Sequence, residues 1–319
     1  MSGKDVFSFG KRLSTYLWQK EWGQVKSATL RSLPASTVCS TNERKRLMNN
    51  WEYFLKKYGT PIGKGAQCQV YRKGDTVYKV LSEGHELYSA MHEGFALALA
   101  QREGIPVSNI HGVYTEGGHI VMEMDYVAGK PVTDLIIEAA QKRDREAIDA
   151  YVQQLVDLQV QLHNRTAIGL GAARQTYAAV FANPSNLSDE LRGKLLDRVN
   201  RLPDGSALCH NDYHALNVIN NGGKLIIIDW DSAMTGDPAG DVAHTYLVSL
   251  LMNDVLNGIY DHFAGRYLDK YLAQTHMKRE RVEAWLPVHA AILYSALING
   301  APQNAKIMEP FLSDIQLSI

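Results

Sequence analysis

Residues 207–241 run Ala207-Leu-Cys-His210-Asn-Asp212-Tyr-His-Ala-Leu-Asn217-Val-Ile-Asn-Asn221-Gly222-Gly223-Lys-Leu225-Ile-Ile-Ile228-Asp229-Trp-Asp-Ser-Ala-Met-Thr-Gly-Asp237-Pro238-Ala-Gly-Asp241. A short apolar run, Ala207 to Cys209, feeds a polar loop. A small hairpin follows, turning at Asn221-Gly222-Gly223, and its second strand, Leu225 to Ile228, delivers Asp229 at its end. Asp212, Asn217 and Asp229 therefore converge. Two anionic oxygen donors and one neutral one suit a hard divalent ion such as Mg2+, shared with substrate phosphates. Phosphoryl transfer is the chemistry that uses such a set.

The spacing His210-x-Asp212-x-x-x-x-Asn217, then Ile228-Asp229-Trp230-Asp231 and Gly236-Asp237-Pro238-x-x-Asp241-Val-Ala, resembles the aminoglycoside phosphotransferase and choline kinase family of the protein-kinase-like fold. An isolated Asp or Asn in a loop is ordinarily a turn or cap residue. The joint pattern reverses that expectation. The resemblance implies an α+β fold of two lobes, a small, mainly antiparallel β lobe and a large, mainly helical one. It implies that Asp212 orients or deprotonates the acceptor hydroxyl, that Asn217 and Asp229 hold Mg2+, and that Asp241 braces the catalytic-loop backbone. Asp237, before Pro238, is a minor substrate-side candidate, with a helix cap as its competing role.

Working back toward the N-terminus, Gly59-Thr-Pro-Ile-Gly63-Lys-Gly65-Ala-Gln-Cys68-Gln-Val70 reads as strand, glycine turn, strand, with Gly63 and Gly65 letting backbone N–H groups approach nucleotide phosphates. Cys68 stands where the protein-kinase pattern has a third glycine. After the Gly74-Asp75 turn comes the alternating strand Thr76 to Leu81, in which Lys79 matches the lysine that pairs with α- and β-phosphates. Residues 86–102 are helical by spacing (Leu87, Met91, Phe95, Leu99), and Glu93, two turns in, is preferred over Glu86 as the partner of Lys79. A strand pair around Gly117-Gly118 leads out through Asp125 and Val127, whose backbone groups would read adenine by the same resemblance.

After Pro131 the chain is mainly helical. Tyr151, Leu155, Leu158 and Leu162 lead to His163, expected to be a core or helix-end histidine, and 169–201 is an inserted helix-turn-helix. Helices are also expected at Val242–Met252, Tyr260–Gln274, Arg279–Asn299 and Ala305–Leu312. Tyr246, Tyr260, Tyr267, Tyr271, Trp285 and Tyr294 supply aromatic surface there, mostly as core.

The 319 residues, 45% of them hydrophobic, are enough for one large domain or two lobes. The organisation expected is a basic helical extension over 1–58, a nucleotide-binding small lobe over 59–127, and a catalytic and substrate-binding lobe over 128–319. No long apolar run or signal-peptide layout appears, so the chain reads as soluble, without a membrane partner. Cys39, Cys68 and Cys209 form neither a disulfide framework nor a zinc motif, which fits the cytoplasm.

The net charge of −1 conceals an asymmetry: residues 1–60 carry 11 Lys/Arg against 4 Asp/Glu, and residues 61–319 carry 22 against 30. The basic segment, with Phe9, Leu13, Tyr16 and Leu17 at helical spacing and a break at Leu33-Pro34, could contact an anionic partner. A solvated helix face packing Trp18, Trp22 and Trp51 on the small lobe is preferred to nucleic-acid binding.

The reaction expected is transfer of the γ-phosphate of ATP, with GTP left open, to a hydroxyl of a small molecule such as an aminoglycoside-like antibiotic or an amino alcohol. A protein kinase is disfavoured because Trp230-Asp231 replaces Phe-Gly and no Ala-Pro-Glu follows. A catalytically inactive nucleotide-binding scaffold is disfavoured because Lys79, Asp212, Asn217 and Asp229 are all retained.

Overall fold

The computed structural model describes residues 51–64, 68–82, 87–253 and 256–316. The expectations for residues 1–50, including the helical spacing from Phe9 and the packing of Trp18 and Trp22, lie outside the described residues. So do Gly65 and Glu86.

The small lobe starts with helix α1 (Trp51–Tyr58) and continues with strands β1 (Gly63–Lys64), β2 (Cys68–Lys73) and β3 (Thr76–Leu81), helix α2 (Leu87–Arg102), and strands β4 (Ile110–Glu116) and β5 (His119–Asp125). The strands form one antiparallel sheet in the order β1-β2-β3-β5-β4. Alternation along the strands gives the sheet two apolar faces. Tyr71, Val80 and Val121 pack under Phe54 and Tyr58 of α1, while Cys68, Leu81 and Met122 pack against Ala90 of α2. Helix α1 thus packs on the small-lobe sheet. Trp51 does pack there, its ring 4.8 Å from that of His119.

The chain crosses to the large lobe through Gly129, whose φ of +126° and closeness to the backbone of Asn220 exclude any side chain: a Cβ would lie 2.1 Å from that residue's carbonyl oxygen. Then come β6 (Lys130–Pro131) and helices α3 (Val132–Gln141), α4 (Arg145–His163), α5 (Ala173–Ala182) and α6 (Asp189–Arg201). The last two are the inserted pair, and Ser188 caps α6 by accepting from the backbone N–H of Leu191. Strands β7 (Ala207–Cys209), β8 (Val218–Asn221), β9 (Lys224–Ile227) and β10 (Met234–Gly236) follow, as two small antiparallel sheets, β6-β8-β9 and β7-β10.

Helices α7 (Pro238–Asn253), α8 (Phe263–Thr275), α9 (Arg279–Glu283), α10 (Leu286–Leu297), α11 (Pro302–Ala305) and α12 (Glu309–Gln316) complete the lobe. Helix α7 is buried along most of its length and is the axis of the large core. It starts four residues before the sequence expectation because Asp237 caps it, its carboxylate accepting from the backbone N–H of Ala239, with Pro238 at the first helical position. The expected single helix 279–299 is two, parted at Ala284-Trp285 ahead of Pro287, which has no N–H to continue a helical ladder.

Candidate active site

The hairpin β8–β9 decides the geometry. Its register pairs Val218 with Ile227 and Asn221 with Lys224, around Gly222 and Gly223, both with positive φ as a tight two-residue turn requires. Asn217 and Asp229 therefore leave the same end of the hairpin, and the backbone N–H of Ile228 donates to the carbonyl of Asn217 at 2.9 Å. Asp229 sits at φ +68° and Asn211 at φ +58°, left-handed conformations that Asp and Asn tolerate better than other side chains.

Asp212 is buried, with polar side chains against its carboxylate. Asn217 Nδ2 donates to the Asp212 carbonyl at 3.0 Å and to Oδ2 at 3.1 Å, leaving the Asn217 amide oxygen as that group's available acceptor. His214 Nε2 and His244 Nε2 approach the other oxygen, Oδ1, at 3.3 and 3.4 Å. Burial by itself would raise the Asp212 pKa, but the His214 and His244 imidazoles beside Oδ1 outweigh it and hold the carboxyl well below its ordinary range.

The small lobe supplies Lys79. Its Nζ donates to both oxygens of Glu93, at 2.9 and 2.8 Å, and to Asp229 Oδ1 at 2.7 Å. Burial opposes the charged ammonium; Asp229 and Glu93 more than compensate, so Lys79 stays protonated far above neutral pH. One ammonium thus ties sheet, α2 and the end of the hairpin together. A second tie joins the lobes where His92 of α2 meets the carbonyl of Ala233 at 2.9 Å.

Behind the catalytic loop, Asp241 accepts from the backbone N–H groups of His210 and Asn211 at 3.0 and 2.8 Å, the brace the sequence implied. His163 joins it: one ring nitrogen lies 2.9 Å from Asp241 Oδ2 and the other 2.7 Å from the Tyr271 hydroxyl. Burial would raise the Asp241 pKa, but the hydrogen bond and charge of His163, then His210, bring it down to about 2. Cys209 completes a trio with His163 and Asp241 whose ligand atoms lie within 4.8 Å of one another. That trio is a brace and not a metal centre, because both imidazole nitrogens and both carboxylate oxygens already have partners and burial pushes the Cys209 thiol up.

The remaining expectations fare unevenly. Gly63 lies in β1 opposite Val70 with ordinary room for a Cβ, so its lack of a side chain is not sterically enforced. The Asp125 carbonyl accepts from Ser108 Oγ at 2.7 Å and its N–H donates to the Asn109 carbonyl, which leaves one carbonyl lone pair at the lobe exit beside Val127. Asp237 is a correction. Its carboxylate is buried and accepts from Arg281, the Trp285 indole and the Ala239 N–H, so it faces the core as a cap and ion pair and not the cleft.

Sequence reasoning passed over His214 and His244. The signal was present: His244 lies three residues after Asp241, and that spacing puts two side chains on one face of a helix. The aromatics of the C-terminal helices are core. Of the six singled out, Tyr260, Tyr267, Tyr271 and Trp285 are buried, and Tyr246 and Tyr294 are half-buried.

Two lobes with an antiparallel sheet above and helices below, a lysine–glutamate pair facing a carboxylate–amide–carboxylate loop, define a kinase-like phosphotransferase architecture. The model of the phosphotransferase enzyme family matches residues 59–285, and the chain belongs to that family. No curated protein sequence matches it. Among solved structures, a thermostable mutant of aminoglycoside phosphotransferase APH(4)-Ia is 16% identical at a TM-score of 0.59, covering 83% of this chain and 97% of its own. The amicoumacin kinase hAmiN, in complex with AMP-PNP, Ca2+ and Ami, is 14% identical at 0.61, covering 87% and 96%. A choline/ethanolamine kinase family protein from Mesorhizobium loti is 17% identical at 0.55, covering 88% and 96%. No helix among the described residues is long and apolar enough to cross a membrane.

Proposed function

We propose that this enzyme transfers the γ-phosphoryl group of ATP to a hydroxyl of a small molecule, an aminoglycoside-like antibiotic or an amino alcohol. The observation that carries the reading is the contact of Lys79 Nζ with Asp229 Oδ1 at 2.7 Å. It joins the phosphate-binding lysine, already paired with Glu93, to the hairpin end that also delivers Asn217 and, through it, Asp212.

Phosphoryl transfer of this kind asks for little covalent chemistry from the protein and much positioning. Lys79 would neutralise nucleotide phosphates from above, held in place by Glu93. Asp212 would receive the acceptor hydroxyl in a hydrogen bond; with its pKa held so low it is a weak base, so it orients the hydroxyl and takes the proton only as the new P–O bond forms. The Asn217 amide oxygen and the Asp229 carboxylate are hard oxygen donors that fit Mg2+ and would hold it, the ion supplying charge neutralisation on the transferring phosphates when bound.

A small acceptor is favoured over a peptide by the chain after Asp229. Only Trp230 to Ala233 separate it from β10, and α7 begins two residues beyond that strand, so there is no length for a peptide-docking platform.

The reading is tested by an ATP-consumption screen over aminoglycosides, macrolides, amino alcohols and sugars. Acceptor-dependent ADP release with a phosphorylated product supports it. Phosphate transferred to casein-type proteins, with none of these compounds accelerating turnover, overturns the small-molecule acceptor.

A further inference from the structure

The face of α7 that turns toward the catalytic loop carries two polar residues one turn apart. Asp241 holds the loop's main chain through two backbone N–H groups. His244 aims Nε2 at the side chain of the same loop, 3.4 Å from Asp212 Oδ1. That nitrogen is buried and has no aligned hydrogen-bond partner among the described residues. The His289 ring packs edge-on against the His244 ring, centroids 5.4 Å apart at 77°.

An aspartate carboxylate needs such support. Its χ2 is a broad, roughly two-fold torsion, so one hydrogen bond leaves the plane of the group able to swing. Asn217 takes Oδ2 only. His214 approaches Oδ1, but it rides on the same loop as Asp212, and its Nε2 also lies 3.4 Å from Asn217 Nδ2, so its bonding is divided. His244 comes from a separate, buried helix, and its Nε2 lies 3.4 Å from Oδ1.

We propose that His244 is a positioning residue: by engaging Oδ1 while Asn217 holds Oδ2, it sets the plane of the Asp212 carboxylate toward the acceptor. One helix would then fix both the backbone and the reacting side chain of the catalytic loop. The inference rests on the reading in which Asp212 meets the acceptor hydroxyl.

The test uses the full chain with Mg-ATP and water as the acceptor, following ADP release. His244→Leu, which keeps bulk and removes the donor, is expected to lower kcat about ten- to a hundredfold with the KM for ATP within about twofold. His244→Gln, whose amide nitrogen can reach the same oxygen, is expected to recover most of the loss. Adding His244→Leu to Asp212→Asn should cost nothing further, since the imidazole acts through the carboxylate. Full activity in His244→Leu, an equal loss in His244→Gln, or additive losses in the double variant would overturn the role.

A second measurement needs no turnover. In protein labelled with 15N-histidine, Asp212→Asn should shift the His244 Nε2 resonance, and an unchanged resonance overturns the contact. Undiminished ADP release by Asp212→Asn would instead strike the reading in which Asp212 meets the acceptor. That failure is distinguishable because the resonance still reports the contact independently.

Discussion

The two walls of the cleft hold their charged groups by opposite means. Above, one ammonium is shared side chain to side chain between two carboxylates, Lys79 with Glu93 of its own lobe and with Asp229 across the lobe boundary. Below, Asp212 and Asp241 are buried among imidazoles, an amide and backbone N–H groups, all within the large lobe. A salt bridge between lobes can be exchanged for nucleotide phosphates as the lobes adjust. Asp212 instead rides on a loop whose main chain Asp241 holds, and in the proposed reaction the acceptor would come to it. In that reading the upper wall binds and releases and the lower wall aims.

The comparison is broken most directly at its lower end. Asp212→Asn keeps the size of the side chain and removes its charge, and is expected to reduce transfer by about 10²- to 10⁴-fold. Nucleotide affinity, measured by calorimetry, should stay within about twofold, because no phosphate-binding group has been touched. A parallel loss of nucleotide binding would mean that the two walls are not separable. Lys79→Met comes next, with an expected loss of about a hundredfold in kcat/KM for ATP, the scale of deleting one preorganised electrostatic partner. Here the loss should appear in nucleotide affinity as well as turnover, the split that distinguishes the binding wall from the aiming wall.

A pH titration sharpens the contrast on the stability side. Asp241 has its pKa lowered to about 2 in the folded chain against an ordinary 3.8. The group therefore stabilises the fold above about pH 4, and that contribution is lost as the pH falls from there toward 2. Plotted as the change from its value at neutral pH, the unfolding free energy followed by circular dichroism should fall further between about pH 4 and 2 for the natural chain than for Asp241→Asn, which has no carboxyl to protonate there. Coincident curves would show that the brace carries no linkage.

Much of this was legible in the residues because function constrained local chemistry. The order His-x-Asp-x-x-x-x-Asn with a hairpin and Asp229 wrote the loop in side chains, and the family resemblance, laid over the strand and helix spacing, implied the pairing of Lys79 with Glu93. What the sequence concealed depends on groups distant along the chain. His244 meets Asp212 only because α7 passes under the loop, and Ser108 meets the Asp125 carbonyl from 17 residues away. The start of α7 was missed because a cap at Asp237 and a proline at N1 outweigh apolar spacing, which begins only at Val242.

Asp237 gives the smallest effect on chemistry and the clearest check on how the lower wall is supported. Its buried carboxylate satisfies the Arg281 guanidinium, the Trp285 indole N–H and the first turn of α7, the helix that carries Asp241 and His244. Asp237→Ala strands the indole N–H and uncaps the helix, so a loss of about 1–3 kcal/mol in unfolding free energy is expected. Arg281 is half-exposed and can turn to water, which keeps the cost from rising further. Turnover per folded molecule should change less than about threefold at a temperature where the variant is fully folded, since the residue touches neither cleft nor loop. A large rise in the KM for the acceptor with unchanged stability would return Asp237 to the substrate side of the pocket and show that the cap is incidental.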